Sequence, residues 1–360
     1  MTERTIVFIG TYTSAKNSKS QGIYIHELDA STGSLSLKGA CDAQEPSYLA
    51  LNKAQTHLYA VNEFASYEGA SSGAVSAFEF NGKSLELKFL NSKPSGGSYP
   101  CHILLDADGK YAFVSNYGGG SLSVFPVNSD GSLADCCHFI QHEGKGSDPK
   151  RQEGPHTHST CFDTSNQRLF ALDLGLDSLI AYTFDSNGNR LSLDPKALYD
   201  AAPGSGPRHC EFSANGKFCY CANELNSTIS AFSYDSDSGR LSLIGTYPSP
   251  SSSFGAGYAD IHTFPSGNFL YVSDRKSNSI ICYHIEENTG MLAFSCAFPS
   301  GGKTPRSFAI DPSGNFLVVA NQDSDCLASF NIDKESGSLA KLGEYYSPAP
   351  ACVKICLLSV

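Results

Sequence analysis

The sequence contains no tryptophan, no CxxC pair and no apolar stretch long enough to cross a bilayer. Without tryptophan the chain cannot carry the Trp-Asp dipeptide of the Trp-Asp repeat propellers. Without CxxC pairs a structural zinc site is disfavoured, and without about 18 consecutive apolar residues a membrane-spanning helix is not expected. Positive charge is also scarce, since the net charge is -11, so the surface as a whole repels phosphate backbones and anionic lipid. We therefore expect neither nucleic acid nor membrane as a partner.

The composition that remains is that of a folded globular protein. Hydrophobic residues make up 41% of the chain and charged residues 17%, which is too apolar for intrinsic disorder. The 13 cysteines, an odd number, are scattered along strand-like segments, so free thiols in a reducing compartment are expected rather than a disulfide framework. Residues 1–6 run into a strand-like segment without the apolar core of a signal peptide. We expect a cytoplasmic location.

One pattern recurs six times along the chain. Each copy has a proline or turn residue, an alternating strand, a polar turn and an apolar strand that ends in a polar pair. Most copies continue into a third alternating strand and a turn of the D-x-x-(S)G-x-L-x-L kind. The copies begin, 46 to 55 residues apart, at Pro46, Pro100, Pro155, Pro207, Ala259 and Pro305. Each unit is therefore predicted to be a sheet of about four short strands joined by tight turns.

The two termini supply complementary parts of a seventh unit. The N-terminal segment holds the last three strands of such a unit and lacks the first, whereas the segment from Pro350 holds a lone first strand. Pairing of that strand with the first blade would close a ring and leave no exposed sheet edge at the join. The sequence therefore predicts an all-β, seven-bladed β-propeller with four-stranded blades, as one domain over residues 1–360, rather than a β-sandwich or two smaller β-domains.

Equivalent repeat positions of a propeller form rings around its central channel, because the innermost strand of each blade lines that channel. The residue after the recurring Asn or Asp, which is Thr11 in the first blade, gives a first ring of Tyr12, Glu63, Tyr117, Leu174, Glu224, Arg275 and Gln322. The residue after the proline gives a second ring of Ser47, Cys101, His156, Arg208, Asp260, Arg306 and Ala351. Period-two alternation places His158 on the face of His156 and His262 on the face of Asp260. Because a buried structural ring is usually apolar, these positions predict a polar pocket on the axis.

Several of these polar residues also have simpler interpretations. The recurring Asn and Asp side chains are expected to cap turns or to bond to backbone between blades. His102 and His209 are expected to face the neighbouring sheets as packing residues. Arg208 and Arg275 either receive an anion or form structural ion pairs with carboxylates such as Glu224.

Other chemistries fit the sequence poorly. His156 and His158 form an H-x-H pair, but two ligands are too few and no nearby carboxylate has ligand spacing, so neither a metal nor a cofactor is expected. No G-x-S-x-G elbow follows a strand and opens a helix, as a serine hydrolase of that type requires. The glycines at 118–120 are predicted to form a hairpin turn rather than a phosphate loop.

The whole chain resembles the lactonase seven-bladed β-propeller family, which includes cycloisomerase-type 6-phosphogluconolactonases and fungal carboxymuconate cyclases. The motifs that carry the resemblance are FIGTYT (8–13), NYGGGSLSVFPV (116–127), RQEGPHTHS (151–159), GSGPRHCEFSANGKF (204–218), NELNSTISAF (223–232), YADIHTFPSGNFLYVSDR (258–275) and PRSFAIDPSGNFLVVANQDSD (305–325). The resemblance implies a metal-independent active site at the channel mouth, built from His156, Arg208, Glu224 and Arg275. Leu174 and Asp274 depart from the family pattern, but neither is one of those four residues.

Lactone hydrolysis needs a water that is deprotonated as it attacks, a stabilised oxyanion and a proton for the leaving alkoxide. We expect Glu224 to be the general base and His156 its acid–base partner, with Arg208 and Arg275 holding the substrate anion or the oxyanion. The second choices for substrate binding are Tyr117, His158, His262, Arg306 and Gln322. The expected substrate is a small anionic sugar lactone, 6-phosphogluconolactone of the pentose phosphate pathway, which is opened to 6-phosphogluconate.

Two other functions stay open at the level of sequence. A carboxymuconate-type cycloisomerase would use the same groups to close a lactone, and a non-catalytic propeller would bind a partner through an apolar patch on one face. The sequence leaves the oligomeric state undetermined. It also leaves open whether the loop 143–153, with Lys145, Lys150 and Arg151, closes over the pocket.

Overall fold

Alternating apolar and polar residues between tight turns give this chain 29 strands in seven antiparallel sheets. The count covers the residues that the computed structural model describes, which are 3–15, 18–185, 190–194, 199–250 and 257–359. We number the sheets as blades 1 to 7 and give the strands of each blade from the innermost outward.

Blades 1 to 3 come from the two ends and the first third of the chain. Blade 1 contains β29 (Pro350–Ser359), β1 (Glu3–Thr11), β2 (Gly22–Leu28) and β3 (Leu35–Asp42). Blade 2 contains β4 (Leu49–Leu51), β5 (His57–Asn62), β6 (Ala74–Asn81) and β7 (Glu86–Pro94). Blade 3 contains β8 (Pro100–Leu105), β9 (Tyr111–Asn116), β10 (Ser121–Pro126) and β11 (His138–Gln141).

Blades 4 to 7 follow in chain order. Blade 4 contains β12 (Thr157–Phe162), β13 (Arg168–Asp173), β14 (Ser178–Asp185) and β15 (Arg190–Leu193), and the short β16 (Tyr199–Asp200) also pairs with β14. Blade 5 contains β17 (Pro207–Phe212), β18 (Phe218–Asn223), β19 (Thr228–Asp235) and β20 (Arg240–Pro248). Blade 6 contains β21 (Tyr258–Thr263), β22 (Phe269–Asp274), β23 (Ser279–Ile285) and β24 (Leu292–Pro299). Blade 7 contains β25 (Pro305–Ile310), β26 (Phe316–Asn321), β27 (Cys326–Ile332) and β28 (Leu339–Tyr346), with a 3-10 turn at Gln322–Ser324.

The inner strands contact one another in a closed circle, in the order β29, β4, β8, β12, β17, β21 and β25. The last strand, β29, pairs with β1 along nearly its whole length, from Ser359 opposite Glu3 to Pro350 opposite Thr11. The C-terminal strand thus completes the N-terminal blade. The predicted seven-bladed β-propeller, closed by its last strand, is confirmed.

An apolar cluster fills every interface between neighbouring blades. Between blades 1 and 2, for example, the rings of Phe8 and Phe80 meet edge to face with centroids 4.9 Å apart. The second strand of each blade is therefore buried on both faces, which explains continuous apolar runs such as FLVVA at the start of β26. Burial of these runs is the main source of stability.

One backbone hydrogen bond is repeated in all seven blades where the second strand ends. In six blades the N–H of the first-ring residue donates to the carbonyl oxygen of the residue that precedes the first paired residue of the inner strand, and in blade 2 the acceptor, Glu45, lies four residues before β4. The donor–acceptor pairs, 2.8 to 3.0 Å apart, are Tyr12–Ala349, Glu63–Glu45, Tyr117–Tyr99, Leu174–His156, Glu224–Gly206, Arg275–Gly257 and Gln322–Thr304. We call this end of the channel the mouth. The bond holds the seven ring residues at one height around the axis, as the repeat predicts.

A bulge follows at once on the inner strand of six blades. In blade 5, Pro207 pairs with Asn223 and His209 pairs with Ala222, so Arg208 is an extra residue in the strand. Blades 1, 3, 4, 6 and 7 show the same shift of register. An extra residue breaks the period-two alternation and re-aims the side chains next to it.

In two blades the extra residue of the bulge is not the residue that follows the start of the repeat. His156 accepts the mouth bond and so stands before β12, which makes His158 the equivalent of Arg208. In blade 6 the equivalent residue is Ala259 rather than Asp260. The predicted second ring was therefore wrong at these two members. The first residue of a strand need not be proline, because proline is tolerated there without being required, and β12 and β21 begin with Thr and Tyr instead.

None of the 13 cysteines, all of which lie in the described ranges, forms a disulfide, and six of them are buried. Those on β18, Cys219 and Cys221, pack between blades as small apolar side chains. In the part of the chain that the structure describes, no helix has both the length and the apolarity to cross a membrane.

Closure of the ring can be tested on β29, where Val353 pairs with Ile9 and packs between blades 1 and 7. Val353→Asp buries a charge without a partner there and should lower the free energy of unfolding by about 3 kcal/mol or more. Leu357→Asp is the matched control, because that side chain on the same strand is 36% exposed, and it should cost no more than about 1 kcal/mol. Urea unfolding followed by circular dichroism measures both, and equal losses would contradict the role given to the buried closure.

Candidate active site

Three guanidinium groups converge on the carboxylate of Glu224 at the channel mouth. Arg208 Nε donates to Glu224 Oε2 at 3.0 Å, and Arg275 Nη2 lies 3.0 Å from the same oxygen. Arg151 Nη2 donates to the other oxygen, Oε1, at 2.7 Å. Glu224 is buried, so its negative charge is balanced by these cations rather than by solvent.

The repeat explains how two of the arginines reach Glu224. Glu224 and Arg275 hold the same ring position in the adjacent blades 5 and 6, each at the end of a second strand. Arg208 is the bulge residue of blade 5, and its Nη1 donates to the carbonyl oxygen of Ala259 at 2.7 Å. Arg208, Glu224 and Arg275, predicted from the sequence as site residues, are therefore in direct contact. Asp260, a member of the predicted second ring, instead contacts His209 and accepts the Ser307 hydroxyl.

The third arginine was missed as a site residue. Arg151 lies in the loop between blades 3 and 4, which sequence analysis left undecided. Besides Glu224, its Nη2 donates to the Tyr117 hydroxyl at 3.3 Å. The available signal was its place five residues before His156 in RQEGPHTHS, but nothing in that spacing tells where a loop side chain will point.

The charges of the cluster change the proton affinities of its members. Burial by itself raises the pKa of Glu224, but the guanidiniums of Arg275, Arg208 and Arg151 outweigh it and lower the pKa to about 2. Burial, together with the positive charges of Arg275 and Arg306, lowers the pKa of Arg208 to about 10. Glu224 is therefore a carboxylate that holds cations strongly and accepts a proton poorly while all three arginines stay in place.

His156 lies beside this cluster with its tautomer determined by the backbone. Its ring stacks on that of Tyr117, with centroids 4.5 Å apart and planes at 13°. Nδ1 lies 3.0 Å from the carbonyl oxygen of Tyr117 and must donate, because a carbonyl oxygen only accepts. In the neutral ring Nε2 then carries the lone pair, and it lies 3.4 Å from Glu153 Oε1. Tyr117 connects His156 to the arginine cluster, because its ring stacks on His156 and its hydroxyl accepts a hydrogen bond from Arg151.

Arg306 and Gln322 lie on other sides of the mouth. The Arg306 guanidinium stands 5.2 Å from the centroid of the Tyr12 ring, whose hydroxyl donates to Glu63 Oε2 at 2.8 Å. The Gln322 side chain makes a long 3.4 Å bond from Nε2 to Asp323. Their predicted roles in substrate binding, and that of Tyr117, stay predictions.

His158 lies deeper in the channel, where His102 and His209 join it. The His158 and His209 rings are 5.3 Å apart and the His102 and His209 rings 5.6 Å apart, and both His102 and His209 contact Tyr48 of blade 2. Blades 2 and 5 are not neighbours, so these contacts can only form across the axis. The prediction that His102 and His209 face neighbouring sheets was wrong, because the bulge turns the residue after it towards the channel.

His262 is not brought to the mouth. It follows Ala259, the blade 6 counterpart of Arg208, by three residues, about 10 Å along the strand. Its imidazole contacts Glu211 (2.7 Å) and Asp260 (3.5 Å), and none of its recorded partners belongs to the Glu224 cluster. Burial opposes protonation, but the two carboxylates outweigh it and raise the pKa of His262 to about 10. Within the described structure this residue belongs to a charged network lower in the channel.

Five of the six recurring Asn and Asp side chains make the backbone contacts predicted for them, whereas the Asn223 amide donates to the hydroxyls of Thr228 and Ser230. The amides of Asn62, Asn116 and Asn321 donate to carbonyl oxygens of the preceding turn, and the carboxylates of Asp173 and Asp274 accept backbone N–H groups. These bonds hold each ring residue from behind, so the side chains at the mouth project from a rigid backbone.

A cavity of about 330 Å³ opens above Glu224, and it is lined by Arg151, Glu224, Gly257, Arg275, Lys276, Thr304 and Asp323. A second hollow of about 530 Å³ on the same face is lined by Thr13, Ser14, Gln44, Glu45, Phe64, Ser66, Tyr67 and Glu68. The second hollow has two carboxylates and no cation, so the first is the one suited to an anion. Among the described residues, no three or more His, Cys, Asp or Glu side chains are grouped to hold a metal ion.

Comparison with known proteins finds relatives that match most of the chain. The family described as "Lactonase, 7-bladed beta-propeller" matches residues 6–355. A Bacillus subtilis protein named 6-phosphogluconolactonase is 35% identical over 310 residues, 85% of either chain. The crystal structure of a putative 6-phosphogluconolactonase from Bacteroides fragilis superimposes with a TM-score of 0.90 at 31% identity and covers 98% of both chains. A periplasmic gluconolactonase of Pseudomonas aeruginosa gives 0.91 at 30%, covering 98% of this chain and 99% of its own.

Replacing Glu224 by Gln should destabilise the protein, because three guanidiniums are then left without a counter-charge. The folded pKa, about 2, lies below the usual value of 4.5. The stabilisation is therefore fully present above pH 4.5 and is lost as the pH falls towards 2. We expect a loss of about 3 kcal/mol at pH 7 that shrinks below pH 4.5, measured by urea unfolding.

The matched control is Glu79→Gln, which removes the exposed partner of Lys88. It should change the free energy of unfolding by less than about 0.5 kcal/mol at any pH. A difference between wild type and Glu224→Gln that is the same at pH 7 and pH 3 would contradict the ion-paired state of Glu224.

Proposed function

The chain belongs to the seven-bladed lactonase β-propeller family, and from this premise we propose that it hydrolyses the lactone of a phosphorylated sugar acid, converting 6-phosphogluconolactone to 6-phosphogluconate. One observation carries the proposal: a histidine whose Nδ1–H is held by a backbone carbonyl oxygen, which leaves Nε2 to accept a proton, is joined through Tyr117 to a buried carboxylate that holds three guanidiniums. A proton acceptor next to concentrated positive charge is what attack of water on a carbonyl group requires.

His156 has the geometry of the group that activates the water. Its Nδ1–H is engaged by the Tyr117 carbonyl, so Nε2 is left as the proton acceptor. The stacked Tyr117 ring fixes the imidazole plane. We assign the first proton transfer, from water to Nε2, to His156.

Arg208 and Arg275 have donors to spare for the oxyanion. Arg208 uses Nε and Nη1 for Glu224 and Ala259, and Arg275 uses Nη2 and Nε for Glu224 and Gly257. Among the described residues, no partner is recorded for Arg208 Nη2 or Arg275 Nη1. These N–H groups are already oriented before the reaction, which is the condition for electrostatic stabilisation of a tetrahedral intermediate.

Glu224 then has a role other than the one its sequence position suggests. Sequence analysis gives it the part of general base, and that stays a prediction, but a carboxylate with a pKa near 2 is a weak base while three arginines hold it. Its clear contribution in the free protein is to bring Arg208 and Arg275 together against their mutual repulsion. We therefore assign it the positioning of both guanidiniums.

The reaction balances with these groups alone. Water adds to the lactone carbonyl carbon as His156 takes its proton, and the oxyanion collapses with cleavage of the bond to the ring oxygen. The leaving alkoxide takes the proton back from His156, and the acid that is formed ionises and releases one proton to solvent. No cofactor is needed in this scheme.

We propose the cytoplasm as the setting, although one relative is named as periplasmic. A phosphorylated substrate and 13 cysteines without a disulfide among them both suit a reducing compartment inside the cell. No observation favours the cycloisomerase or the non-catalytic propeller.

The direct test is acid release from freshly prepared 6-phosphogluconolactone in a pH-stat. The wild type should accelerate it above the spontaneous rate, and His156→Gln should lower kcat/KM at least about 100-fold because the proton acceptor is lost. His138→Gln, on the outer strand β11, is the control and should stay within about twofold of wild type. No acceleration by the wild type, together with conversion of a carboxymuconate, would establish the cycloisomerase instead.

A second kinetic prediction separates the roles of Glu224 and His156. Glu224→Gln should lower kcat about 10- to 100-fold and change KM much less, because the two guanidiniums lose their alignment. If His156 takes the proton, the acid limb of the kcat/KM profile keeps its position in this variant. A shift of the acid limb along the pH axis would indicate that Glu224 is the general base. An unchanged kcat would show that Glu224 takes no part in the chemistry.

A further inference from the structure

The cavity above Glu224 contains cations that the opening of a lactone ring does not use. Water attack and oxyanion stabilisation involve His156, Arg208 and Arg275. Arg151 and Lys276 also line the cavity and have no part in those steps. A site with more positive charge than its reaction needs indicates a second anionic group on the ligand.

Arg151 differs from the other two arginines on Glu224 in its freedom. The Arg208 and Arg275 side chains are 3% and 19% exposed and each also bonds to a backbone carbonyl oxygen, whereas the Arg151 side chain is 44% exposed. Its recorded partners are the Glu224 carboxylate and the Tyr117 hydroxyl. Arg151 can therefore change partner without any change in the blades.

The backbone that carries Arg151 is, by contrast, well held. The buried Gln152 accepts the N–H groups of Ser147 and Asp148 on Oε1 and donates through Nε2 to the Leu174 carbonyl oxygen. The Asp148 carboxylate in turn accepts the N–H of Arg151 at 3.2 Å. The turn anchors the base of the side chain and leaves its end to move, so the loop need not act as a lid.

The two oxygens of Glu224 divide its partners in the same way. Oε2 bonds to Arg208 and Arg275, while among the residues that the structure describes Oε1 bonds to Arg151 alone. Loss of Arg151 would leave the pair on Oε2 intact and make Oε1 available. The arrangement therefore separates a permanent contact from an exchangeable one on a single carboxylate.

We infer that this cavity is a phosphate subsite, in which Arg151 leaves Glu224 Oε1 and binds the phosphate of the substrate together with Lys276. The inference rests on the proposed function for the identity of the substrate, and it adds how the phosphorylated lactone is told from the unphosphorylated one. Entry of the phosphate frees Oε1 to accept a hydrogen bond from the bound sugar or from water.

The charge balance of the cavity fits a phosphomonoester. Four cations, counting Arg208 beneath Glu224, face two carboxylates, so an excess of two positive charges meets a phosphate that carries nearly two negative charges at neutral pH. The second carboxylate, Asp323, accepts the Thr304 hydroxyl at 2.6 Å. Arg306 is a further cation whose charge interacts with that of Glu224.

Binding of the reaction products tests the subsite without any turnover. Calorimetry should show that the wild type binds 6-phosphogluconate at least about tenfold more tightly than gluconate, and that Arg151→Gln loses most of that preference, because a charge-assisted bond to phosphate is removed. Lys150→Gln is the matched control, since it removes the same charge from the same turn outside the cavity, and it should keep the preference within about twofold. Equal weakening of both ligands by Arg151→Gln, or an unchanged preference, overturns the inference.

The exchange of partners is tested by the Glu224 carboxylate itself. In protein labelled with 13C at the glutamate carboxyl, the Glu224 resonance is identified by its loss in Glu224→Gln. Saturating inorganic phosphate should shift it in the wild type and leave it in place in Arg151→Gln, and phosphate binding without a shift overturns the exchange. If the wild type opens neither lactone, the proposed function fails, while both binding experiments still decide the subsite.

Discussion

Pairing of the last strand with the first is the constraint on which the rest of this molecule depends. Each four-stranded sheet has two apolar faces and is stable only between two neighbours, so an open row of seven would leave both end faces in water. The pairing of β29 with β1 removes those ends and gives the ring an axis. Only then do residues from distant parts of the chain face one another, and the mouth exists as a site because the circle is closed.

Two backbone features then convert the ring into a functional surface. The sevenfold N–H···O=C bond at the mouth sets the height of one side chain per blade, and the bulge beside it brings in a second. Blade 5 uses both, for Glu224 and Arg208, and blade 6 adds Arg275. The charged side chains at the mouth thus project from a backbone arrangement that does not depend on which side chains it carries. One fold can therefore present different chemistry in different families.

The electrostatics of the mouth distinguish two groups that the sequence offers equally as general bases. His156 and Glu224 are both plausible bases by residue type, but the backbone leaves the imidazole with a free lone pair while three guanidiniums occupy the carboxylate. The same ion pairs that make Glu224 a weak base hold the oxyanion donors in place. An anionic ligand that draws off Arg151 would alter this balance, so substrate binding and the state of Glu224 are linked through one exposed side chain.

The amino-acid sequence by itself determined the architecture, the number of blades, the manner of closure and the first ring, because a hydrophobic period repeated seven times permits few other folds. It also placed Arg208, Glu224 and Arg275 together. Only the tertiary structure decided that His158 rather than His156 matches Arg208, that His102 and His209 point to the axis, that His262 lies lower in the channel, and that Arg151 reaches Glu224. The physical reason is the same in each case. A bulge or a loop changes the direction of a side chain through one local backbone geometry, and no periodicity in the sequence encodes that change.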